Sequence, residues 1–254
     1  MKKTICLATI LLLVTAAFSG CGDAIKGVDD LVGKKIAIQN GTTGESIASD
    51  IKDAEVRSYS KGSDVFKSLE DDKVEAVIID SETAISFSRT NTELKILSNL
   101  FDEERYSIAF NKNCPELGAK IDNAITELKE EGTFDKIVSH WIGDSPDHIP
   151  YRSDTTIERT GKLIMATNAE FPPYESYNEG QIVGIDVDIM NAVCDKLGME
   201  LYIENMAFSN VISAVVDGSA DVGVAAITVT PEREEEVDFT QSYASSNQVV
   251  VVKK

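Results

Sequence analysis

Apolar residues along this chain recur with two periods, so that strand-like and helix-like stretches alternate. Lys34 to Gln39, KKIAIQ, reads as a strand that runs into Asn40-Gly41-Thr42-Thr43-Gly44-Glu45 and a helical stretch to about Lys52. A strand over Ala54 to Tyr59, a helix over Ser63 to Glu70 and a strand over Val74 to Ile79 follow; the last ends in Asp80 and a helix over Ser81 to Ser88. Leu94 to Leu97 and Tyr106 to Phe110 are further strands. Asn113 and Pro115 open a long amphipathic helix to about Glu131, broken at Gly132, and a second helix ends at Trp141-Ile142-Gly143. Asp144 to Arg159 is polar, carries Pro146 and Pro150, and shows no apolar period. It predicts a linker that spans about 50 Å when extended.

The second half of the chain repeats the style of the first. Leu163 to Ala166 is an apolar run typical of a buried strand, and Thr167 to Tyr174 then sets polar and aromatic residues around two prolines that forbid helix. This is how a sheet ends at a cleft. Ile185 to Leu197 is a helix with Ile185, Ile189, Ala192 and Val193 on one face, followed by a strand (Glu200 to Glu204), a helix (Ser209 to Asp217) and a strand (Asp221 to Ala225). VFKSLEDDKVEAVIID and VISAVVDGSADVGVAA each read as helix, turn and apolar strand, so the chain contains two similar α/β lobes. Thr230 suits an N-cap and Pro231 a first helical position, which starts a short helix, and Gln248 to Val252 is the last strand.

Composition narrows the class. A length of 254 residues allows one or two domains. Lys2 and Lys3, the apolar run Ile5 to Ala17 and then Phe18-Ser19-Gly20-Cys21 form a signal-peptide pattern. The last four residues resemble a bacterial lipobox, with Phe18 where Leu, Val or Ile is usual. Export, cleavage before Cys21 and lipidation of its thiol are expected; a retained transmembrane anchor is the weaker reading, because the run is short for a bilayer. The formal charge of −19 becomes about −21 without Lys2 and Lys3. That excess argues against nucleic acid and against docking on anionic lipid, leaving the lipid itself as the membrane link. Cys114 and Cys194 then remain, as a disulfide or as two buried thiols. His140 and His148 lie in the second helix and the linker, with no metal-ligand or nucleophile spacing around them.

The candidate chemistry is a set of groups that are individually ordinary. Thr42 and Glu45 have capping-box spacing, and the same glycine-rich helix start favours an anion. Asp80 either caps the helix that follows or presents a carboxylate at the end of a strand, where open α/β sheets bind ligands. Arg233, just inside a helix start, suits a carboxylate gripped by two parallel hydrogen bonds, with Thr228 and the backbone near Ala226 beside it. Phe171 and Phe208 offer faces for an aliphatic or cationic stem.

The order of these groups resembles the polar amino-acid solute-binding proteins of ABC importers, family 3, which have the type II periplasmic-binding-protein fold. TNAEFPPYE (Thr167 to Glu175), GIDVD (Gly184 to Asp188) and AITVTPER (Ala226 to Arg233) are similar to that family's lobe 1, and GKKIAIQNGTT (Gly33 to Thr43) with Asp80 to its lobe 2. The resemblance implies ligand contacts at Asn168, Phe171, Phe208, Ala226, Thr228 and Arg233, and at Thr42, Thr43 and Asp80. Receptors for cationic amino acids often carry Asp where Asn168 stands, which weakens arginine or lysine as ligand. Glu170 restores a negative charge only if it turns inward, and exposure is the expectation.

The family begins with lobe 1, whereas about 160 residues precede that lobe here. The expected layout is a circular permutation: signal peptide 1–20, anchor linker 21–30, lobe 2 over 31–106, hinge crossover 107–112, closing helices of lobe 1 over 113–143, permutation linker 144–160, the ligand-loop half of lobe 1 over 161–248, and an opened hinge strand 249–254. Closure as a monomer puts Lys254 near Asp29; a swap between chains and a fragment of a tandem receptor are the rivals. The resemblance implies an extracytoplasmic, lipid-anchored, monomeric receptor that closes on a free L-amino acid and presents it to a permease, with no cofactor. Relatives of the fold include dehydratases of cyclohexadienyl acids, so an enzyme is the alternative, with Glu170 as the evident acid. A ligand-sensing module is the third reading.

Overall fold

The computed structural model describes residues 24–98, 100–144 and 146–254. The expected signal peptide and Cys21 lie outside them. After a short 3-10 turn at Val28–Leu31 come β1 (Lys35–Gln39), α1 (Thr43–Asp50), β2 (Glu55–Tyr59), α2 (Gly62–Glu70), β3 (Ala76–Asp80), α3 (Ser81–Thr90), β4 (Leu94–Leu97), β5 (Glu103–Tyr106) and β6 (Ala109–Phe110). Two helices follow, α4 (Pro115–Glu130) and α5 (Thr133–Trp141). The remainder is β7 (Gly161–Thr167), β8 (Glu170–Phe171), β9 (Glu175–Asn178), β10 (Gln181–Val183), α6 (Ile185–Leu197), β11 (Met199–Asn205), α7 (Val211–Asp217), β12 (Val222–Gly223), α8 (Pro231–Glu236), β13 (Asp238–Phe239) and β14 (Ala244–Lys253).

The fold is α/β with two lobes. One lobe is built on a six-stranded sheet in the order β2-β1-β3-β14-β4, with β5 paired to β14; the other is built on a five-stranded sheet in the order β11-β7-β12-β6-β13. In the six-stranded sheet, alternate residues serve opposite faces. Ile36, Ile38, Ile78, Val250 and Val252 pack with Leu31 and Ala48 on one side, while Ala37, Val77, Ile79, Val249 and Val251 join Val65, Phe66 and Leu69 on the other. Both faces are covered by helices, which is why these strands read as continuous apolar runs. The second sheet is sandwiched likewise: Leu163 and Met165 meet Ile185, Ile189 and Val193, and Ala166 meets Val211, Val215 and Ile227.

Two strands cross between the lobes. The expected strand Tyr106 to Phe110 is divided, because β5 belongs to the first sheet and β6 to the second, with Ser107 and Ile108 between them bonded to Ile227 and Thr240 of the second lobe. The last strand begins at Ala244 rather than Gln248. Its first residues pair with β5, from Ala244 opposite Tyr106 to Asn247 opposite Glu103, and the rest lies antiparallel between β3 and β4. Lys253 and Lys254 share a surface depression with Ala24 and Ile25.

Helices α4 and α5 pack on α6, where the Trp141 indole N–H donates to the buried Asp188 carboxylate at 2.7 Å. The expected linker is laid along the same helix: the Tyr151 hydroxyl at 3.1 Å, the Asp154 N–H at 2.9 Å and the Arg159 guanidinium all reach Asp195. Cys114 is an exposed free thiol and Cys194 a buried one, so neither the disulfide nor the pair of buried thiols is found. Cys114 stands at the start of α4, open to solvent, whereas Cys194 is on the covered face of α6. Among the described residues no helix is long and apolar enough to cross a membrane, and no cluster of His, Cys, Asp or Glu suits a metal ion.

Candidate functional site

The carboxyl ends of the strands of both lobes face one narrow cleft, part of it open to solvent. Thr42, Thr43 and Asp80 line it from one lobe and Asn168, Phe171, Phe208, Ala226, Thr228 and Arg233 from the other. The sequence reasoning missed Gln39, Gln248 and Glu175, which also line it.

Thr42 is the N-cap of α1, but the capping box does not form. Its hydroxyl turns back to donate to the Gln39 carbonyl at 2.8 Å, and the Glu45 carboxylate accepts instead from the Gly41 N–H at 2.7 Å and the Ser58 hydroxyl at 3.0 Å. No side chain therefore caps the first turn of α1, where the Glu45 N–H donates to the Thr42 carbonyl at 3.1 Å. Asp80 sits at the N-cap position of α3 and makes no capping bond there. Its carboxylate accepts from the Gln248 amide at 3.0 Å, while the other oxygen has no partner. Burial pushes the Asp80 carboxyl up to about 7.

Arg233 is seated by its own cap, its N–H donating to the Thr230 hydroxyl at 3.3 Å. The guanidinium donates to the Thr228 carbonyl at 2.6 Å and, across the cleft, to the Gly41 carbonyl at 3.0 Å. The Phe208 ring lies 5.4 Å from it, so this aromatic face is turned to the arginine of the chain itself. Among the described residues no carboxylate lies within 4.0 Å of Arg233, and three of its five donors remain for a ligand. Asn168 also bridges the lobes, accepting from the Gln39 amide at 2.7 Å and donating to the Met206 carbonyl at 2.7 Å. Glu170 turns away from the cleft lining. It pairs with Lys61 at 3.3 Å and accepts from the Ser63 hydroxyl at 3.2 Å.

Beneath the Thr167 to Tyr174 loop is a buried pair of acids, Asp186 and Glu175. Asp186 accepts from the Ala226 N–H at 2.9 Å and the Tyr243 hydroxyl at 3.0 Å. Burial raises its carboxyl to about 6, and burial with the Asp186 charge beside it drives Glu175 well above the usual carboxylate range. The loop closes tightly over α6 at Gly184, whose φ of 141° and backbone contact leave no room for a side chain: a Cβ there would stand 2.1 Å from the Tyr174 carbonyl.

Similarity to known proteins lies in the second half of the chain. The family of bacterial extracellular solute-binding proteins, family 3, matches residues 163–254. The arginine-binding extracellular protein ArtP of Bacillus subtilis (strain 168) is 40% identical over 94 residues, 37% of this chain and 36% of that protein. A probable histidine-binding protein of Neisseria gonorrhoeae is 34% identical over 96 residues, 37% of this chain and 36% of that protein. The arginine-bound form of domain 1 from TmArgBP is 32% identical, with a TM-score of 0.32, over 37% of this chain and 81% of that one. Residues 163–254 belong to bacterial extracellular solute-binding proteins, family 3. The chain spans little more than a third of the length of the curated relatives it matches. The matched part holds the Thr167 to Tyr174 loop, Arg233 and the buried acid pair; Thr42, Thr43 and Asp80 lie outside it.

Proposed function

We propose that the protein is an extracytoplasmic, lipid-anchored receptor that closes its two lobes on a free polar L-amino acid and hands it to an ABC permease. An amino acid brings a carboxylate and an ammonium together, and burying either unpaired costs several kcal/mol. The observation that carries the reading is that one cleft holds a cation, Arg233, on one lobe and a buried carboxylate, Asp80, on the other. A ligand spanning both favours the closed state by its differential affinity. Phe171 provides a surface for its side chain, while the Phe208 ring backs Arg233. Relatives are named for binding arginine, histidine and cystine, so these amino acids head the list of candidates.

The permuted lobe order and the assignment of α4 and α5 as closing helices of lobe 1 belong to the same proposal. Their support is the packing of both helices on α6 and the seating of β14 between β3 and β4. In the enzyme alternative, the acid would be Glu175 or Asp80, since Glu170 is paired outside the cleft lining.

The experiment is a thermal melt of residues Gly22 to Lys254, of known mass in solution, against each of the twenty amino acids. A monomer stabilised by one or a few of them is expected, because binding to the native state alone raises the midpoint. A cooperative melt that no amino acid moves refutes the reading and sends the same protein to a turnover assay with cyclohexadienyl acids.

A further inference from the structure

Glu104 stands on β5, one of the two strands that cross between the lobes. Its carboxylate accepts from the Thr43 hydroxyl at 2.9 Å and from the Thr228 hydroxyl at 2.8 Å, with the Gln248 amide at 3.4 Å. The two threonines line the cleft from opposite lobes, Thr43 at the start of α1 and Thr228 shortly before α8. A threonine hydroxyl has a single proton to donate. With both protons directed at Glu104, neither hydroxyl is left to donate to a carboxylate arriving in the cleft. A second carboxylate at that place would also meet like charge. The donors that surround Arg233 are thus engaged by an acid of the chain itself, and that engagement fastens one lobe to the other.

We propose that Glu104 is a further residue of the binding site: an internal carboxylate that bridges Thr43 and Thr228 in the ligand-free protein and that the carboxylate of an incoming ligand must displace. The inference rests on the amino-acid reading above. On displacement, the ligand inherits both hydroxyl donors beside Arg233 and takes over the link between lobes. A carboxamide analogue of the same amino acid lacks the charge that drives the exchange, so the site favours free carboxylates.

Two measurements on Glu104→Ala test it. Small-angle scattering without ligand is expected to show a larger radius of gyration for the variant than for the wild type, because the internal bridge is lost. Titration with L-arginine, or with L-histidine or L-cystine if the melts select one of them, is expected to give about tenfold tighter binding, since no internal acid competes. Glu104→Gln keeps the size of the side chain without its charge; its cooperative melt guards against misfolding, and both readouts should shift the same way. Superimposable scattering curves for wild type and variants would overturn the bridge, and equal or weaker binding would overturn the competition. If no amino acid binds the wild type, the receptor reading has failed, and the scattering arm still decides the bridge by itself.

Discussion

Replacing Asp80 with asparagine separates the stability of this protein from its proposed ligand chemistry. Asp80 is 4% exposed, accepts one hydrogen bond from Gln248, and has a second oxygen with no partner. Burial lifts its carboxyl from an ordinary 3.8 to about 7. A carboxyl whose pKa is higher in the folded than in the unfolded chain contributes stability that is complete below the unfolded value and is lost as pH rises through the folded one. Above pH 7 the wild type therefore holds a charge that costs about 4 kcal/mol at the most relative to its protonated form. The substituted amide carries no such charge and occupies nearly the same volume. At pH 8, Asp80→Asn should melt higher than the wild type by up to roughly 10 °C, while at pH 4 the two should nearly coincide. Asp186 and Glu175 are shifted in the same direction but are common to both proteins, so the difference isolates Asp80. The same variant should lose its response to amino acids, having no charge to meet the ammonium. Differential scanning calorimetry at several pH values, with and without ligand, reads both effects. A variant that is less stable at pH 8, or whose melt varies with pH as steeply as the wild type, refutes the argument.

Other substitutions probe separate contacts. Arg233→Ala should weaken amino-acid binding by about 2–5 kcal/mol in calorimetric titration, and Arg233→Lys should not restore it, because a paired grip on a carboxylate needs the planar fork. Gly62→Ala places a Cβ 2.6 Å from the Glu170 carbonyl, across the lobes. It should lower apparent affinity about tenfold in calorimetric titration by disfavouring the arrangement in which the lobes meet. Trp141→Phe removes the only N–H that meets Asp188 at hydrogen-bond distance from α5; leaving that buried carboxylate short of a donor should cost about 1–3 kcal/mol in denaturant unfolding.

The sequence made the covered strands legible because helices lie on both faces, which demands unbroken apolar runs such as AVIID and VVVV. Asp80 and Arg233 stood out for a related reason: each interrupts or follows such a run where a sheet ends. The polar residues inside strands carried no such signal. Gln39 closes β1 and Gln248 sits within β14, and each reads as the solvent-facing partner of an alternating pattern, whereas both are buried. Glu104 was hidden among Asp102, Glu103 and Arg105, whose charges suggest a solvated turn. A buried glutamine at the cleft end of a strand is a detectable cue, but only when the opposite lobe is known to approach. The hairpin strands β8 to β10 were missed because runs of two to four residues hold no period. Ser245 and Ser246 likewise concealed the start of β14, where pairing with β5 and not an apolar face fixes the backbone.

The pairing of β5 with β14 has a mechanical consequence. Glu104 and Gln248 belong to the very strands that run between the lobes, and both side chains reach the groups lining the cleft. In the proposed closure these strands act as a torsion bar, and a ligand presses on the bar itself with no intervening train of side chains. Its recognition and the resting twist of the protein then share the same atoms. Under that proposal, tuning selectivity at either position also resets the angle between the lobes.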